Sequence, residues 1–144
     1  MTSKSRFTTK VARLLDEAGW REGVIRDFRP FLPTDFELFP AAQAVLEEFC
    51  GLEVGKNKGG AYHQAVHLSF DPRISEGAGE VFKKVALPLH SKLFPIAEAD
   101  DGHATLLISE EGWVYLWFGP LHRVAKSFDE ALERLLLGLK YDEN

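Results

Sequence analysis

The residues of this chain able to carry out chemistry are five histidines, one cysteine, a short glycine cluster and two pairs of acids. His63 and His67 are four apart, which on a helix is metal-ligand spacing. Tyr62, Val66, Leu68 and Phe70, however, alternate with His63, Ala65, His67 and Ser69 in the period-two pattern of a strand over 62–70. On a strand the two imidazoles stand roughly 13 Å apart, too far for one ion. His90, His103 and His122 sit singly near element ends. Cys50 precedes a glycine at the end of an apolar helix, the wrong helix end for thiolate stabilisation, so it reads as a buried, inert thiol. Gly77-Ala78-Gly79 lacks the preceding strand and the third glycine of a dinucleotide fingerprint, and no Walker-type GxxxxGK occurs. Asp100-Asp101 and Glu110-Glu111 fall in turns at opposite ends of one strand, which suits solvated turn residues better than a paired acid and base. One enzyme reading stays open: a small hydrolase or metal-dependent protein using His63, His67 or His103 with Asp100 or Asp101. Otherwise no residue set nominates a reaction, and no catalytic, cofactor or metal residues are assigned.

The strand at 113–118 stands out instead. It is apolar on both faces, with Trp113, Tyr115 and Trp117 on one side and Val114, Leu116 and Phe118 on the other. A sheet with helices on one side only would leave the three large aromatics in water. Either other parts of the chain cover them, or they form a protein-binding surface of the kind enriched in Trp and Tyr. In the second case the partner-binding residues are Trp113, Tyr115 and Trp117, ringed by Glu98, Asp100, Asp101, Glu110 and Glu111.

The elements positioning these residues follow from punctuation and period. Apolar runs at 93–97, 104–108, 113–118 and 121–125 are separated by acidic, Gly or Pro turns and predict an antiparallel meander, with 98–102 as one of the turns. Ser127 and Glu130 form an S-x-x-E capping box, and Phe128, Ala131, Leu132, Leu135 and Leu136 share one helical face up to Gly138. Upstream, Val11, Leu14, Leu15 and Ala18 predict a helix from Thr8 or Thr9 to Gly19-Trp20. Pro40 opens a second helix that ends at Gly51-Leu52, in the same manner. Residues 28–39 read as irregular with at most one helical turn. Residues 52–55 and 62–70 form a hairpin, and a third helix spans 78–89 with a kink near Ala86. The fold class is therefore α+β: an antiparallel meander sheet of five to six strands flanked by four helices, in a single domain over 1–144 with a loose N-terminus at 1–6.

At 144 residues the chain is long enough to bury ~70% of the surface exposed when unfolded. A single Cys excludes an intrachain disulfide framework, and no apolar leader or membrane-spanning run occurs, so a cytoplasmic setting is expected. Seventeen Lys and Arg against 22 Asp and Glu give a net charge of -5. This removes any broad attraction to a phosphate backbone, so neither nucleic acid nor membrane is an expected partner.

The segments LLDEAGWREGVIRD, FPAAQAVLEEFCGLEV and LFPIAEADDGHATLLISEEGWVYLWFG, followed by SFDEALERLLLG, resemble the SUKH superfamily, in particular its third subfamily of bacterial immunity proteins. The likeness is in order and spans nearly the whole chain. Its most specific parts are AGW with a following Arg, the FxGL ending of the middle helix, and the Pro-Ile-x-Glu to Gly-x-Val-Tyr hairpin with the closing helix. These are marks of fold, not of catalysis. The resemblance implies a non-enzymatic protein that binds and neutralises a polymorphic toxin, often a nuclease or deaminase. An acidic domain suits a basic toxin, because opposite charge speeds encounter. The resemblance leaves open a regulatory interaction module without a toxin, and either a monomer or a homodimer. Two departures are visible: Ala97 replaces the usual Gly after Pro-Ile, and Trp113 stands where a polar residue, often Arg, precedes Val-Tyr.

Overall fold

Helical spacing and end signals set four helices in the computed structural model, which describes residues 6–55, 66–100 and 102–140. α1 (Thr9–Ala18) opens on Thr8, whose hydroxyl accepts from the Val11 N–H. It closes at Gly19, whose φ of 102° is left-handed, and there Trp20 N–H donates to Leu15 C=O at 2.9 Å. Trp20 then folds back, stacked on Phe49 at 5.8 Å and edge-on to Phe7 at 5.7 Å. α2 (Pro40–Phe49) starts on Pro40 as the sequence predicts. Its end differs from the expected left-handed cap. Cys50 at φ -56°, ψ 138° and Gly51 at φ 85° make a type II turn, closed by Leu52 N–H to Phe49 C=O at 3.1 Å. The reason is the sheet: Gly51 N–H is drawn to Phe70 C=O at 2.8 Å.

α3 (Gly79–Ala86) passes into a 3-10 turn at Leu87–Leu89, which is the expected irregularity near Ala86. α4 (Phe128–Leu137) is capped by the Ser127 hydroxyl accepting from Glu130 N–H. The reciprocal half of the capping box is replaced, because the Glu130 carboxylate accepts from Arg134 Nη2 at 2.8 Å. Arg6, expected in the loose N-terminal stretch, is instead clamped by Glu48 of α2 and Asp129 of α4 at 2.7 and 2.8 Å. These carboxylates raise its pKa above the ordinary arginine value.

Six strands pair antiparallel in chain order: β1 (Glu53–Val54), β2 (Leu68–Ser69), β3 (Leu93–Ala99), β4 (Ala104–Ser109), β5 (Val114–Trp117) and β6 (Leu121–Ala125). The strand expected at 62–70 contributes Leu68 and Ser69, and its first residues, 62–65, lie outside the described ones. β3 runs past its expected end into what the sequence reads as a turn. A register shift between Pro95 and Ala97 lets Glu98 and Ala99 continue pairing with Thr105 and Ala104. Ala97 is not at positive φ, so the backbone there carries its side chain without strain.

One face of the sheet carries the larger core, in which Phe94, Ile96, Leu106, Val114, Leu116 and Val124 meet apolar residues of α1, α2 and α4. The second face carries a smaller cluster of Leu93, Leu107 and Tyr115 under Phe82 and Ala86 of α3. Helices therefore lie against both faces, and α3 is short for six strands.

Candidate partner-binding surface

β5 decides the geometry. Cross-strand register places Ser69, Glu98, Thr105, Trp117 and Leu121 in one row across five strands of the second face. The next row is Pro95, Leu107, Tyr115 and Arg123. Tyr115 sits between the other aromatics, is 7% exposed, and has its phenol pKa raised chiefly by burial. Trp117 is half-buried and meets Phe82 of α3 edge-on at 5.0 Å. Trp113, also half-buried, lies under the Arg123 guanidinium at 4.7 Å and the Lys126 ammonium at 5.9 Å. The second face is thus covered over Tyr115 and left partly open at both tryptophans. Phe118, on the other side of the strand end, is 47% exposed and stacks on His122 at 4.7 Å.

The acids divide. Glu110 and Glu111 are exposed at the Trp113 end of β4, where the Ser91 hydroxyl donates to the Glu111 carboxylate and lowers its pKa. Glu110 accepts from Lys92 N–H at 3.2 Å. Asp100 lies at the other end, near the Trp117 row; its carboxylate accepts from His67 N–H at 2.9 Å, and its φ of 50° is left-handed. Asp101 lies outside the described residues. Glu98 is inside the fold, 4% exposed, held by Thr105 Oγ1 at 3.4 Å and near Ser75. Burial, first, raises its pKa.

The histidine constellation is only partly described, since His63 falls outside the described residues. His67 faces Glu53 at 3.4 Å, and the His103 ring bonds the Asp100 carbonyl. No group of three His, Cys, Asp or Glu able to hold a metal occurs among the described residues. Cys50 is 1% exposed, and desolvation raises its thiol pKa.

Sequence reasoning missed a groove of about 350 Å³ between the segment 35–37, α3 with its 3-10 extension, and residues 90–93. Residues 35–37 and the continuous stretch 79–93 build it from positions distant in the chain, so no local pattern announces it. The one local signal is Gly79, where a Cβ would collide with the Asp35 carbonyl.

Fold and surface together define an α+β domain on an antiparallel meander, with helices on both faces and half-open aromatics at β5. The chain belongs to the SUKH-3 immunity protein family, whose model matches residues 7–138. Membership implies an immunity function directed against a toxin. No curated protein and no solved structure matches the chain. No helix among the described residues is long and apolar enough to cross a membrane.

Proposed function

We propose that this chain is a bacterial, cytoplasmic immunity protein that binds one cognate toxin domain, of nuclease or deaminase type, and neutralises it by occlusion without making or breaking a bond. The observation carrying the proposal is family membership over residues 7–138. Trp113 and Trp117 supply half-open aromatic anchors, with Glu110 and Glu111 at one end and Asp100 at the other; Asp101, next to Asp100 in the sequence, is assigned to the same contact. Tyr115 and Glu98 act from beneath, by fixing the rows on which the tryptophans stand. The net charge of -5 favours encounter with a basic toxin.

Co-expression with the toxin-like protein encoded beside this one tests the reading. Rescue of growth together with a one-to-one complex on a sizing column supports it. Loss of both would leave the regulatory-module reading in its place.

A further inference from the structure

α3 is held to the sheet from one side and at few points. Of its eight residues Gly79, Phe82 and Ala86 are buried, whereas α4 sets five residues into the larger core. Glu80, Val81, Lys83 and Lys84 of the helix, and Leu87 just past it, stand in water. Ala78, at its start, has no side chain able to cap, and the N–H groups of Gly77 and Gly79 go to Asp35 Oδ2 at 3.0 and 2.8 Å. Left-handed residues bound the stretch at both ends, Gly77 at φ 95° and His90 at φ 54°, so the helix cannot run on into a neighbouring element. Beyond these two points the chain is tied down by the strip 34–37. Thr34 N–H donates to the Glu76 carboxylate at 2.8 Å, and Lys92 Nζ meets Glu37 at 2.7 Å. Between the ties, Phe36 reaches both clusters, 6.1 Å from Phe82 and 5.9 Å from Phe94.

A segment with two fixed feet, one large buried side chain and an outer face in water opens at a lower free energy than the core it lies on. We infer that residues 78–89 form a strap that swings off the second face as one unit, pivoting at Gly77 and His90, while the six strands and the larger core stay folded. Opening uncovers Leu107 and Tyr115 beside Trp117. Trp113, Tyr115 and Trp117 then form one continuous aromatic row, and the partner-binding face proposed above has a closed and an open form. That last consequence rests on the tryptophan reading; the opening itself does not.

The test is native-state hydrogen exchange of the whole chain, followed by nuclear magnetic resonance under conditions where the rate reports the opening equilibrium. The Val85 and Ala86 amides are expected to be at least about 100-fold less protected than those of Leu132 and Leu135 in α4. Ile96→Val, a change in the larger core, is expected to speed the α4 amides about fivefold and to leave the α3 amides where they are, because that core is intact in the open form. Ala86→Cys adds a thiol beneath the strap, and dithionitrobenzoate is expected to label it at least about 100-fold faster than Cys50 of the larger core. One protection for both helices, an equal response of both to Ile96→Val, or labelling of the introduced thiol no faster than Cys50 would each overturn the inference. A failed co-expression with the toxin-like protein leaves all three readings as they are.

Discussion

Glu98 shows how far one buried carboxyl shapes the behaviour of the protein. Its pKa is raised in the fold, first by burial, so between the ordinary carboxylate value and the raised one the native state holds more protons than the unfolded chain. Stability contributed by the neutral acid is therefore lost as pH rises through that window. Glu98→Gln, which keeps an acceptor for Thr105, is expected to melt above the natural chain at about pH 8, with the gap closing towards about pH 4. Thermal melts across that range check it, and a gap that widens on acidification would reverse the sign. The aromatic residues separate by the same physics. Trp117 lies against Phe82 at 5.0 Å, so Trp117→Ala is expected to cost about 2 kcal/mol in urea unfolding as well as weakening the toxin complex. Phe118 is 47% exposed, and Phe118→Ala is expected to cost less than about 1 kcal/mol.

At the scale of elements, α3 depends on a close approach rather than on a cap of its own. Asp35 supplies its first N–H partners, and Gly79 lets the backbones meet. Gly79→Ala is expected to cost about 2–4 kcal/mol and to loosen the cover over Tyr115, read as lower melting and a red-shifted tryptophan emission. Ser127→Ala, removing the bond to Glu130 N–H, is expected to cost about 1 kcal/mol. Helix starts at Thr8, Pro40 and Ser127 and the meander strands were legible because capping and period are local. The places where the sequence misleads are those where a distant group wins. Gly51 leaves its expected cap for Phe70, Glu130 turns to Arg134, and the shift after Pro95 carries Glu98 from a turn into the sheet. The aromatic alternation of 113–118 was readable, but which half α3 covers was not, since that rests on Asp35 and Gly79 meeting across more than forty positions.

For the whole molecule, many carboxylates are spent on internal cations, as at Arg6, Arg21, Arg29, Arg73 and Arg134. The net charge of -5 is therefore carried largely by acids outside these pairs. Encounter with the basic toxin proposed above is accordingly expected to slow as salt rises, while dissociation changes little. The central claim is stoichiometric binding, and the most direct measurement is residual toxin activity against added immunity protein, with the mass of the mixture read by light scattering. The account predicts a linear fall that reaches zero at one equivalent, in a complex with the summed mass of one copy of each. Full inhibition far below one equivalent, with two unassociated species, would contradict it.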